Sequence, residues 1–341
     1  MVVLDGRRWL PIVLSGVRLG ASRACGPVAF RGGKLASGIY LKGAGNSDIS
    51  PGEAAMPTVA LVTVHGMGET PRDYAASVFG QMRARLGPAL RERLACYSVY
   101  YQAILQKNEQ TIWGRVDRQS KVHYDDLRKF MLFGFADAAG LENRKEIPGS
   151  VYELAQGEIA RNLLGAFTAN PAMPVVFLAH SLGCQVLSSY LYDAQKALAG
   201  GLVQAGIWRD IDGWARAAVG RVLSEREKHY LAGGICSGLL TTGCNIPIFV
   251  AAHKEMQIKP IAPPTPMFQW LNLYDPDDVL GWPLQPLSEG YRLLVQDRAI
   301  NAGQGAVAWM LKSWNPLSHS AYWQDEAVLA PLAGMIRRMI E

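Results

Sequence analysis

A serine hydroxyl becomes a nucleophile at neutral pH only when a base takes its proton and the backbone around it leaves it exposed to a substrate. The stretch PVVFLAHSLGCQVL, residues 174 to 187, has the residue types to meet the second condition. The apolar run Pro174 to Ala179 reads as a buried strand. His180-Ser181-Leu182-Gly183 is too short for anything but a tight turn, and helix-forming residues follow at once. Such a strand-turn-helix lifts Ser181 clear of the sheet and aims the N-terminus of the helix at the reacting atoms. Small residues two before and two after the serine let strand and helix approach. Here they are Ala179 and Gly183, so the pattern is A-x-S-x-G rather than G-x-S-x-G.

Three further segments carry groups that could complete the chemistry. Thr58 to Val64 is uncharged and rich in β-branched residues, which predicts a central strand, and it runs into His65-Gly66-Met67-Gly68-Glu69-Thr70-Pro71. Glycines directly after a buried strand free the backbone for a turn whose N–H groups can face a ligand. Phe268 to Tyr274 predicts another strand, followed by Asp275-Pro276-Asp277-Asp278-Val279. Carboxylates there sit where open α/β sheets build their sites. Near the C-terminus, His319 lies in the polar loop Asn315 to Ser320.

The elements that must position these groups follow in order. A helix is expected from Pro71 to Leu86, a strand over Cys96 to Leu105, and a helix over Val151 to Phe167 that leads into the serine strand. The helix after Ser181 continues to Leu198 and is stopped by Gly200-Gly201. Trp208 to His229 reads as an extra helix, part of a lid, and Leu239 to Ala252 as a strand interrupted at Gly243-Cys244-Asn245. Tyr291 to Ile300 reads as the last strand, and Glu326 to Ile340 as an amphipathic closing helix.

Composition limits the alternatives. The 341 residues are 49% hydrophobic and 18% charged, enough for one large α/β domain with a substantial core. Five cysteines at irregular spacing, with no CxxC or Cys/His cluster, argue against a disulfide framework and a zinc site, and no metal or cofactor is expected. They favour a reducing, cytoplasmic setting. The net charge of +5 comes from the first 50 residues, which hold seven Arg/Lys against Asp5 and Asp48, so the balanced remainder shows no nucleic-acid footprint. Tyr230 to Ala252 carries no formal charge, but its glycines, Asn245 and Pro247 make it a helix end and a strand rather than a membrane span. Residues 1 to 55 admit two readings, an initial hairpin from Val28–Phe30 and Ile39–Leu41 or a loose basic leader, which is a poor signal-peptide match.

In this order, HGMG, AHSLG, an aspartate cluster and a histidine, the chain from Met56 resembles the α/β-hydrolase superfamily. VTVHGMGETP, DPDDVLGWPL and NPLSHSAYW are similar to segments of its bacterial lipase/esterase-like members. The resemblance implies a mostly parallel central sheet with helices on both faces, over residues 56 to 341, with helical inserts near 106–150 and 203–229 placed to form a cap. It implies a serine hydrolase that cleaves a carboxylic ester of a small or lipid-like substrate through an acyl-enzyme. Ser181 would be the nucleophile, His319 the base and Asp277 its acid, with Asp275 and Asp278 as alternatives for the acid. The backbone N–H groups of Met67 and Leu182 would hold the oxyanion. Gly66, Gly68 and Gly183 would support the two turns, and His65 and His180, on the wrong strands for proton transfer, would be structural. A thioesterase, amidase or acyltransferase would use the same machinery, and a catalytically silent binding module of this fold is the alternative outside it.

Overall fold

The computed structural model describes residues 57–252, 258–302 and 322–341. Residues 1–55, where the hairpin and the leader compete, and His319 lie outside the described residues. The chain runs β1 (Val59–Val64), α1 (Ala76–Leu86), β2 (Leu94–Val99), α2 (Gln102–Leu105), α3 (Lys107–Gln119), α4 (Asp125–Glu142) and α5 (Val151–Ala169). Then come β3 (Val175–His180), α6 (Leu182–Leu198), α7 (Ile211–Val219), α8 (Glu225–Leu231), β4 (Cys236–Thr242) and α9 (Ile246–Ala251). The order closes with β5 (Gln269–Tyr274), α10 (Glu289–Leu294), β6 (Val295–Ala299) and α11 (Glu326–Ile340).

The six strands form one sheet in the order β2-β1-β3-β4-β5-β6, and each neighbouring pair is parallel. From β1 the chain first moves outward to β2, then returns to place β3 on the other side of β1. The direction of winding therefore reverses between β1 and β3. At such a switch point the crossover helices diverge to opposite faces and leave a crevice at the strands' C-terminal ends. Those two ends carry His65-Gly66-Met67 and Ser181.

Alternate residues of the central strands feed two cores. Ala60, Val62, Phe177 and Ala179 face the side covered by α5 and α6, with Ile159, Leu163, Leu187 and Tyr190 packed on them. Leu61, Val176, Leu178 and Leu271 face the other side, under Val78 and Met82 of α1 and Val328, Leu332 and Ile336 of α11. A parallel sheet buried on both faces needs this uninterrupted apolar sequence, and β1 is buried at all six positions. The result is an α/β-hydrolase-type fold.

Five expected elements differ: α1 begins at Ala76 rather than Pro71, and residues 291–294 of the expected last strand belong to α10, whose N-cap Ser288 accepts from Tyr291 N–H. Strand partners explain two of the other three. β2 stops at Val99 because its partner stops: Val64 pairs with Val99, and beyond it β1 turns away. Residues 102–105 become helical instead. Likewise β4 ends at Thr242, level with His180, the last residue of β3, and Gly243 turns the chain at φ 52°. Ile246–Ala251 is a short helix with Pro247 in its first turn, not a strand. The single helix expected over Trp208 to His229 is two. Gly220 caps α7 in the left-handed conformation, and Ser224 with Glu227 forms a capping box that starts α8. This insert packs along α5, with Gln156 accepting from Ile207 N–H at 3.0 Å near one end and Arg226 over the Phe167 ring at the other. The uncharged stretch from Tyr230 is thus the end of α8, β4 and α9. Among the described residues no helix is long and apolar enough to cross a membrane.

The closing helix should carry much of the second core. Leu332→Ala removes a side chain with no solvent exposure and is expected to cost about 2–5 kcal/mol, read by urea titration; a cost below about 1 kcal/mol would mean that α11 is only loosely seated.

Candidate active site

Ser181 occupies the turn between β3 and α6 with φ 51° and ψ −123°, a conformation that costs a non-glycine residue about 1–3 kcal/mol. The surroundings hold it there. Its N–H donates to Thr242 O at 3.0 Å, and its carbonyl accepts from Cys184 N–H at 3.0 Å. Its side chain does not cap α6. The next residue, Leu182, opens α6, so its N–H belongs to the positive end of a helix of 17 residues.

The turn after β1 closes against this one, and the two glycines make that possible. A Cβ on Gly66 would lie 2.7 Å from the Ser181 Cβ, and one on Gly183 would lie 2.6 Å from the carbonyl oxygen of Val64. Both positions exclude any side chain without a backbone shift. Gly183 lets the first turn of α6 rest on the end of β1, and Gly66 lets the serine stand over the loop that carries Met67. Ala179, the departure from the usual pattern, is fully buried and level with Val64.

Both histidines of the turns are engaged in holding backbone. His65 Nδ1 donates to Gly66 O at 2.8 Å, while Nε2 accepts from Tyr101 N–H at 3.2 Å. The Tyr101 ring stacks on it at 4.1 Å, and the Tyr101 hydroxyl donates to His65 O at 2.6 Å. Burial lowers its pKa to about 4, so the ring is neutral at pH 7. His180 Nδ1 lies 3.1 Å from both the carbonyl and the hydroxyl oxygen of Thr242, at the end of β4. Tyr322 and Trp323 pack beside its ring at 5.6 and 6.1 Å.

The three aspartates after β5 divide their work. Asp275, buried, ties loops together: Oδ1 accepts from Asp277 N–H at 2.9 Å and Oδ2 from Ala302 N–H at 2.8 Å. Asp278, also buried, accepts from Leu280 N–H at Oδ1 and from the Tyr322 hydroxyl at Oδ2, at 3.0 and 2.9 Å. Asp277 is exposed. Tyr322 follows His319 by three residues in sequence. The link from Tyr322 to Asp278 has no signature in the sequence, because only a fixed turn after β5 makes it.

Cys184 and Cys244 are fully buried, and burial pushes the Cys184 thiol well above its ordinary value, which leaves no thiolate. Among the described residues no group of three or more His, Cys, Asp or Glu could hold a metal ion. A cavity of about 650 Å³ runs along α6 past Gln185, Ser189 and Asp193, and Ser181 is not in its wall. Another, of about 570 Å³, is walled by Glu69-Thr70-Pro71 of the loop after β1 together with Tyr100, Gln102 and Gln106.

No family model matches the sequence, and no curated protein matches it. Among solved structures, a cutinase-like protein from Cryptococcus sp. is 12% identical with a TM-score of 0.36, over 84% of this chain and 97% of that one. An acetylxylan esterase is 9% identical with a TM-score of 0.40, over 84% and 100%. The catalytic core domain of acetyl xylan esterase from Trichoderma reesei is 9% identical with a TM-score of 0.38, over 83% and 99%. Likeness this low decides neither fold nor activity. The sheet order and the turn at Ser181 decide the fold.

The neutral His65 has a consequence for stability. The unfolded chain takes up a proton below about pH 6.5 while the fold resists it until about pH 4. The stabilisation is therefore complete above pH 6.5 and is lost as pH falls, by about 2 kcal/mol at pH 5. Urea titrations at pH 7 and 5 should show this component in the wild type and not in His65→Gln. Equal slopes would mean that the ring is not held neutral.

Proposed function

We propose that the chain is a serine hydrolase acting on carboxylic esters, with Ser181 as nucleophile and His319 as base. The observation that carries this reading is the strained backbone of Ser181 at the strand-to-helix turn beside the switch point. A serine that merely began a helix would sit in an ordinary cap conformation and accept a bond from the helix N–H groups. Here Ser181, without solvent exposure, makes no side-chain cap bond in its strained conformation, which suits a hydroxyl held for a substrate rather than for the helix.

In the proposed reaction the Ser181 hydroxyl attacks the ester carbonyl as His319 takes its proton. The backbone N–H groups of Met67 and Leu182 stabilise the oxyanion, and each such donor contributes about 3 kcal/mol. The alcohol leaves with the proton from His319, and a water activated by the same ring hydrolyses the acyl-enzyme. For the acid we favour Asp278 over Asp277. It is buried, and its carboxylate is held by Tyr322, three residues beyond His319; a carboxylate that orients a base works best out of water. The likeness of the segments VTVHGMGETP, DPDDVLGWPL and NPLSHSAYW to those of bacterial lipase/esterase-like hydrolases agrees with an ester as substrate.

Turnover of p-nitrophenyl acetate and butyrate tests this. Ser181→Ala and His319→Ala should each lower kcat by about a thousandfold or more, with melting temperatures close to wild type. Asp278→Asn should cost far more than Asp277→Asn; the reverse would return the acid to Asp277. Wild-type protein that is folded and inactive on every ester would favour a silent binding module.

A further inference from the structure

The insert helix α4 touches the loop after β1 at three points. Lys129 Nζ pairs with Glu69 Oε2 at 2.7 Å. Gly134 faces the Met67 side chain so closely that a Cβ there would lie 2.5 Å from its sulfur. Asp137 Oδ2 accepts from Gly68 N–H at 3.0 Å. The last contact matters most. Gly68 sits at φ 90° with open space where a Cβ would be, so no contact on that side fixes its backbone. The bond from its N–H to Asp137 does, and it sets the peptide plane next to that of the oxyanion donor Met67.

Asp137 is fully buried, and Glu109 of α3, 4% exposed, is within hydrogen-bond reach of it. Asp137 Oδ1 and Glu109 Oε2 are buried with no donor to accept from unless one of the two carboxyls carries a proton. Two carboxylates in contact away from water do not both ionise. A proton on Glu109, donated to Asp137, joins the two groups and leaves Asp137 the anion that Gly68 needs. Burial raises the pKa of both, that of Glu109 further because Asp137 adds its charge, whereas the bond from Gly68 holds Asp137 down. Among the described residues, Tyr101, whose hydroxyl is committed to His65 O, feels the charge of Asp137, the His65 stacked on it is neutral, and the Glu69–Lys129 ion pair lies about two turns away along α4. The same face of α2 and α3 brings the uncharged Gln102 and Gln106, both buried.

We propose that Asp137 and Glu109, sharing one proton, are positioning residues that clamp the loop carrying the oxyanion donor and thereby tie ester turnover to the seating of the α3–α4 insert. This rests on the serine-hydrolase reading. As pH rises and Glu109 ionises, two buried anions repel, α3 parts from α4, and Gly68 is released. kcat should therefore fall on the alkaline side while KM for a small ester changes little.

The experiment is kcat and KM against pH for p-nitrophenyl acetate in the full chain. Asp137→Ala should lower kcat at every pH by about tenfold to a hundredfold, with KM within about threefold. Glu109→Gln, whose amide donates to Asp137 permanently, should keep the neutral kcat and lose the alkaline fall. A Glu109→Gln profile that falls like wild type, or an unchanged kcat in folded Asp137→Ala, overturns the proposal. Hydrogen exchange at the Gly68 amide separates this failure from that of the hydrolase reading, since it needs no turnover. Protection should be lost in Asp137→Ala and kept in Glu109→Gln, and equal protection in all three proteins overturns the clamp. A melting temperature raised by calcium in wild type and not in Glu109→Gln would replace the shared proton by a cation and overturn it too.

Discussion

The contact between the ends of β1 and β3 is the constraint on which the site depends. Parallel pairing sets Val64 beside Ala179 and leaves two turns to share one small volume above the sheet. They fit only because Gly66 and Gly183 have no side chains to collide with the serine and with the backbone of β1. The strain in Ser181 is sustained by this packing and by bonds to Thr242 and Cys184. Remove the fit, and the serine relaxes into a common cap geometry with its hydroxyl turned to the helix.

What surrounds that contact is mostly backbone management. His65 fastens the first turn to Tyr101, His180 fastens the second to Thr242, and Asp275 fastens the end of β5 to the residues after β6. Each is a polar group at least half-buried that must find partners, and each finds one in a main-chain group of a neighbouring segment. The rigidity of the site is thus built largely from side chains bonded to main-chain groups. The first insert adds a further layer, since α4 meets the loop after β1 through Lys129, Gly134 and Asp137.

Much of the sheet was legible because central parallel strands must be uncharged and mostly apolar, as Val59–Val64 and residues 175–179 are. The helix after Ser181 and the closing helix were legible from their periodicity and ends. Where reading failed, the cause was nonlocal. Nothing within residues 100–105 or 246–251 says that the neighbouring strand has run out, and β-branched and aromatic residues there favour a strand until a partner is missing. In the site, Ser181 and the glycines announce themselves because a tight turn demands them. The choice among Asp275, Asp277 and Asp278 does not, because burial and the bond from Tyr322 come from the far end of the chain. Glu109 and Asp137 escaped for the same reason: each looks like one more charge on an amphipathic helix until α3 and α4 bury both.

The most direct test of the central claim is to find which residue reacts as a nucleophile. Folded protein treated with a fluorophosphonate should gain one adduct by intact mass, and peptide mapping should place it on Ser181. An adduct on a different residue, or none on folded protein, would contradict the account.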